Sequence, residues 1–236
     1  AVEPMMQAFR ALEANEAALG GRGLKNMPYS LNPPEIGMIR AARHHPTPFF
    51  SAPWDAAAIQ GLTDRAEKFT RAVASLDTAL NWFETAWESC RPQGRPELAY
   101  LSGKTRGYRR HLLTLCLLRD FYAGYVKAFD AFAENKLQTC REGLREACAQ
   151  ASRAEESAKE SAREFAQCIA HPTDLAVLWM MNHVIIATRV IRQFTRNVLA
   201  YHEGREYWNR VDWDLLYDRS PFPPYQVEGW NTLVLG

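Results

Sequence analysis

The chain has 236 residues, with 28 Lys and Arg against 27 Asp and Glu, a formal charge of +1. It is 47% hydrophobic and 23% charged, ordinary values for a globular protein, and long enough for one large domain or two small ones. The charge balance leaves no global field to draw the chain to nucleic acid or to an acidic membrane surface.

Residues 2–19 have helical composition and stop at Gly20-Gly21. An irregular stretch follows over about 20–57, with Pro28, Pro33, Pro34, Pro46, Pro48 and Pro53. It also carries Tyr29, Ile36, Phe49, Phe50 and Trp54, so it reads as a segment lying against an apolar surface rather than a solvated linker. A short helix over 34–43 would have proline in its first turn.

The strongest local signal runs from Ile59 to Trp87. Ile59, Leu62, Ala66, Phe69, Val73, Leu76, Leu80, Phe83 and Trp87 are spaced three and four apart without a break. That puts them on one stripe of a long helix over about 56–90, ended by Arg91-Pro92-Gln93-Gly94. A second helix is expected from about Pro96 to Asn135, its seam His111, Leu115, Leu118, Tyr122, Tyr125, Phe129 and Phe132. Gly103 and Gly107 predict a break or kink near its start.

A third helix, over about 136–170, has a seam of mostly small residues: Leu137, Cys140, Leu144, Ala147, Ala151, Ala154, Ala158, Ser161, Phe165 and Cys168. Such a seam lets a neighbouring backbone come close, and the polar remainder faces water. A fourth helix opens at Pro172-Thr173-Asp174, with Asp174 suited to the positive end of its dipole, and closes near His202 to Gly204. It is apolar nearly all round in its first half, which marks it as the most buried. Its run Leu175 to Ala187 is too short to span a bilayer. Residues 205–236 read as irregular and aromatic. The prediction is an all-α fold: an antiparallel bundle of four long helices over 58–204, a short N-terminal helix with an irregular Pro-rich segment over 1–57, and an aromatic flank over 205–236.

Chemistry is harder to find. Cys90, Cys116, Cys140, Cys148 and Cys168 lack metal-ligand spacing, and Cys140 and Cys148 would lie about 12 Å apart along one helix, too far to bridge. They read as reduced, mostly buried thiols, which mildly favours a reducing compartment. No histidine follows a Glu at three residues, which speaks against a di-iron bundle site. Gly103-Lys104-Thr105 has the end of a phosphate loop but lacks its first glycine, Leu98 standing there, and its preceding strand. The basic cluster Arg91, Arg95, Lys104, Arg106, Arg109 and Arg110 reads as a solvated helix junction ahead of an anion site. No metal or cofactor is expected.

Two groups remain as candidate sites. Asn182 and His183, with Tyr122 and Tyr125, would form a polar site inside the bundle. Trp208, Trp213, Asp214, Tyr217 and Trp230 would form an aromatic and acidic platform of the kind that stacks sugar rings. The plainer reading of the latter is that the rings pin the flank to the bundle or to a neighbouring domain.

His171-Pro172-Thr173-Asp174-Leu175-Ala176-Val177-Leu178, then Asn182 and the apolar run after it, resembles the last long helix of helical domains that follow TIM barrels in hexosaminidase-like and α-glucuronidase-like glycoside hydrolases. Ala176 stands where those helices usually have Gly. The resemblance covers about 59–203 and implies an accessory domain. In those enzymes the catalytic carboxylates lie mainly on the barrel, and no βα alternation occurs here, so no catalytic residue carries over. The expected function is a non-catalytic accessory domain of a larger carbohydrate-active protein, serving packing, dimerisation or the rim of a substrate cleft. Its partner would be a neighbouring domain or a second copy, with carbohydrate as ligand and neither nucleic acid nor membrane. The alternatives are a free-standing self-associating scaffold and an enzyme with its site near His183. The sequence shows neither an initiator Met nor a signal peptide, as expected of a processed or excised chain.

Overall fold

The computed structural model describes residues 2–19 and 56–205, except the side chains of 56–67, Met180, His183 and Val190. The described part is all-α: α1 (Val2–Ala18), α2 (Ala56–Glu88), α3 (Arg95–Ala133), α4 (Leu137–Ala166) and α5 (Pro172–His202), with a single 3₁₀ turn at Pro92–Gly94 between α2 and α3. The Pro-rich segment over 20–55, its expected 34–43 helix and the flank over 206–236 lie outside the described residues.

Each helix runs antiparallel to the one before it. The Asn15 side chain of α1 donates to the Ala72 carbonyl of α2 at 2.9 Å, while Ala8 and Ala11 join a cluster with Ala79, Phe83 and Ala86. Arg109 of α3 pairs with Asp77 of α2, and ten residues on Arg119 lies over the Phe69 ring. On α3 and α4, Gly103 faces Cys168, Gly107 faces Phe165, Thr114 bonds Ser157, Gly124 faces Ala147 and Ala128 faces Gly143. The register holds without slipping from one end of α3 to the other.

The substantial interfaces follow chain order: α1 with α2, α2 with α3, α3 with α4, α4 with α5. Among the described residues α2 has no comparable interface with α5, although Leu76 of α2 and Ile191 and Phe194 of α5 belong to one core. The main core joins residues of four helices, among them Leu76, Tyr108, Leu112, Tyr122, Leu144, Ile191 and Phe194.

Several seam residues are placed differently from their spacing. On α2 the buried stripe is Phe69, Ala72, Leu76, Ala79, Phe83 and Ala86, while Trp87 is 42% exposed. The stripe is rotated because two helices cover α2, and the alanines are the side that α1 sits on. Phe132 and Leu137, at the turn between α3 and α4, are also exposed. α3 has no break at its glycines. A Cβ on Gly103 would stand 2.8 Å from the Cys168 Cβ, and one on Gly107 would stand 3.0–3.1 Å from the Phe165 backbone and Cβ. These glycines admit α4 and leave the helix continuous. Asn135, at φ 59°, and Gly204, at φ 66°, close α3 and α5. After each, the next N–H reaches back to a carbonyl in the last turn, Lys136 to Ala131 and Arg205 to Ala200, the paired-bond ending that needs a left-handed residue.

α5 is 31 residues long, so the shortness of its most apolar run does not set its span. By length and composition it is apolar enough to cross a membrane, yet 60% of its most apolar window is buried within the molecule. Trp179 is 43% exposed, so the first half is not covered on every side.

The glycine contacts give a signed prediction. Gly107→Ala should lower stability by about 1–3 kcal/mol, because the added methyl meets backbone that cannot swing away. Gly124→Ala, whose methyl would rest 3.7–3.8 Å from Ala147, should be neutral or raise stability by up to about 1 kcal/mol through helix propensity. Urea denaturation of the two variants checks both signs.

Candidate functional site

The candidate polar site inside the bundle is not assembled as predicted. Tyr122 and Tyr125 lie in the main core against Phe121, at ring separations of 5.0 and 5.8 Å. Burial, with a smaller effect from Cys140, pushes the Tyr125 phenol well above its ordinary range. Asn182 is buried beside Met181 and Val184, which pack on Ala158, Ala162 and Phe165 of α4 in a separate cluster. Tyr125 stands near Cys140, and Gly124 beside it faces Ala147. The two levels are eleven or more residues apart on α4, about 16 Å along its axis. The backbone of His183 adjoins Asn182 on α5, and its side chain lies outside the described residues. Trp208, Trp213, Asp214, Tyr217 and Trp230 lie outside them too.

What the helices do bring together is a set of ion clasps on α5. At its start, Asp174 is 1% exposed and accepts from Lys104 Nζ at 2.8 Å, from the Tyr100 hydroxyl at 3.2 Å, and from the Ala170 and His171 N–H groups at 3.1 and 3.0 Å. Burial alone would raise the Asp174 pKa. Lys104 and the two N–H groups outweigh it and hold the carboxyl below its usual range. The same pairing raises the Lys104 ammonium against the effect of its own burial. In mid-helix, Glu155 of α4 is 4% exposed and is held by Lys159 on its own helix at 3.0 Å and by Arg189 and Arg192 of α5. Burial opposes its charge, and the three cations overcome that, so this carboxyl too lies below its ordinary range. At the far end, Glu203 receives Arg145 of α4 at 2.7 Å and also Arg205, while Arg141 Nε donates to the His202 carbonyl at 2.8 Å.

The basic cluster read from the sequence is taken apart by the fold. Arg95 lies over the Trp87 ring, Lys104 pairs with Asp174, Arg109 with Asp77, and Arg110 with Glu160 and Glu164. These four cations point to five different partners and do not converge on one anion. The thiols are quiet as well. Burial raises Cys116 and Cys140, and pushes Cys148 and Cys168 up to about 11, so these four are protonated at neutral pH and poor nucleophiles. Among the described residues no group of three or more His, Cys, Asp or Glu is placed to hold a metal ion.

Glu155 is the residue that the spacing did not single out. It sits one step beside the alanine seam of α4, between Ala154 and Ser157, and a charge adjoining a seam with arginines three apart on the facing helix is the signal that could have found it. No protein-family model matches the chain, and neither the curated proteins nor the solved structures contain a match to it.

Two predictions follow from the clasps. Glu155→Ala should cost about 2–3 kcal/mol, since it removes the buried carboxylate that Lys159, Arg189 and Arg192 share and leaves three cations close together. Asp174 and Glu155 have folded pKa values below their unfolded ones. Their contribution is full above the unfolded values, near about pH 4, and is lost as pH falls through the folded ones. Stability followed by urea midpoint should therefore decline on the acid side, and Asp174→Asn should flatten that decline while lowering the plateau at neutral pH. An unchanged acid limb in the variant would contradict the assignment.

Proposed function

We propose that this chain is a helical packing and interaction module that supplies no catalytic group of its own and is built to be covered by a neighbouring domain or a second copy. The observation that carries the reading is the outer face of α1. Ala8 and Ala11, with Met5 and Leu12, pack inward against α2, while Val2, Met6 and Phe9 stand outward at 79%, 48% and 42% exposure. These three fall at helical spacing on one side, so they form a continuous apolar stripe rather than scattered residues. The commitment of carboxylates and cations to interhelical pairs and the protonated state of four thiols support a structural use of the polar groups. Attachment to a carbohydrate-active enzyme rests on the helix layout and the 171–182 motif alone.

Light scattering and binding of an apolar dye test the reading together. The chain should either exceed its 26.9 kDa monomer mass as concentration rises or bind the dye as a monomer. Met6→Glu combined with Phe9→Glu should abolish whichever is seen. A monomer whose dye binding ignores both substitutions would overturn the proposal, and so would glycoside turnover by the purified chain.

A further inference from the structure

The outer face of α1 carries more than its apolar stripe. An α-helix turns by about 100° per residue, so positions seven apart return to nearly the same side. Met6 stands in the middle of the exposed face. Val2 and Phe9, seven apart, flank it on one side, and Glu3 and Arg10, also seven apart, flank it on the other. All five are exposed. The opposite side of the helix is spent on α2, where Ala8, Ala11 and Asn15 are buried and Asn15 is bonded to the Ala72 carbonyl. Gln7 donates to Glu3 at 2.7 Å and leaves its charge uncancelled. Glu3 and Arg10 stand about 10 Å apart along the axis, too far to pair within one helix. Among the described residues neither enters an ion pair.

This arrangement is its own complement. A second α1 laid antiparallel on the face, about a two-fold axis beside Met6, brings each flank against the same flank of the other copy. Glu3 then comes level with the partner's Arg10, and Arg10 with the partner's Glu3. Val2 meets the partner's Phe9, and Phe9 the partner's Val2, while the two Met6 side chains meet on the axis. The three pairings call for an axis at one point on α1, to within about 1.5 Å, or one residue of rise. A parallel pair would instead set Glu3 beside Glu3 and Arg10 beside Arg10, so the charge pattern accepts one direction and rejects the other. Glu13, the next residue on the face, lies about 10 Å past Met6 and outside the paired stretch.

We propose that the outer face of α1 is a self-recognition surface, on which two copies of the chain pair through antiparallel α1 helices, with reciprocal Glu3–Arg10 ion pairs along one edge and Val2–Phe9 contacts along the other. The proposal rests on the reading of α1 as a face built to be covered, and it names the occupant. One pair of 17-residue helices makes an interface at the small end of specific contacts, so the dimer is weak and depends on concentration. Exposed edge pairs add little strength, and their main effect is to fix direction and register.

Analytical ultracentrifugation of the whole chain tests it. The parent should pass from monomer toward dimer as its concentration is raised to about 1 mM. Glu3→Arg and Arg10→Glu each turn two attractive edge pairs into repulsive ones, and each should weaken self-association about tenfold. Mixing the two single variants restores both pairs in the heterodimer, which should form about as tightly as the parent dimer. A folding defect would not be repaired by mixing. Association that neither reversal weakens, or that mixing does not restore, would overturn the antiparallel pairing and leave α1 as an apolar association face. A parent that stays monomeric at about 1 mM yet binds an apolar dye through Met6 and Phe9 would overturn this inference alone and leave the face to a neighbouring domain. A monomer that binds no dye would overturn both readings.

Discussion

Where α3 meets α4, a methyl group added to Gly103 would lie 2.8 Å from the Cβ of Cys168, and one added to Gly107 would press on the backbone of Phe165. Further along, Gly143 leaves a similar space for Ala128, where a Cβ would meet it at 3.1 Å. Such approach is open only to helices that present almost no side chain, which is what Ala147, Ala151, Ala154 and Ala158 provide on α4. Polar groups can then bond across a narrow gap, as Ser161 does to the Gly107 carbonyl at 2.9 Å and Thr114 to Ser157 at 3.0 Å. The large side chains are displaced to the flanks of this contact, where Tyr108, Phe121 and Leu112 meet the other helices. The positions of α2 and α5 follow from where those flanks lie.

Charge plays the second part, fixing the placement that apolar packing leaves loose. An apolar helix laid on an alanine seam has few features to stop it sliding by a turn, because alanines offer no deep notches. Asp174 against Lys104, Glu155 against Arg189 and Arg192, and Glu203 against Arg145 pin α5 at its start, middle and end. Each pin uses a carboxylate that is better shielded than its cations, so moving α5 would strand buried charge rather than merely lose a surface pair.

Helix positions were legible from three-and-four spacing because every long helix has one face that must be covered. The limits of α3, α4 and α5 fall within a few residues of those read from turn and cap signals, and Asp174 serves the helix start as its position implied. Relations between helices were not legible. Spacing says that Trp87 shares a stripe with Phe83, but only the seating of α1 on Ala72, Ala79 and Ala86 turns that stripe and leaves Trp87 outside. Gly103 and Gly107 look alike whether a helix breaks or a neighbour approaches, and the neighbour is invisible in one strand of sequence. Tyr122 and Asn182 were grouped as buried polar residues, yet burial by itself carries no information about which level of the stack a residue occupies.

Helices that touch mainly their neighbours in sequence make a molecule without a keystone. From α2 to α5 each joint closes over a short turn, so little chain entropy is spent before those contacts form, and these hairpins can assemble quickly. Disassembly has the same grammar. The outermost helices can peel away while the central pair stays joined, giving partly open forms of intermediate energy rather than a single all-or-none collapse.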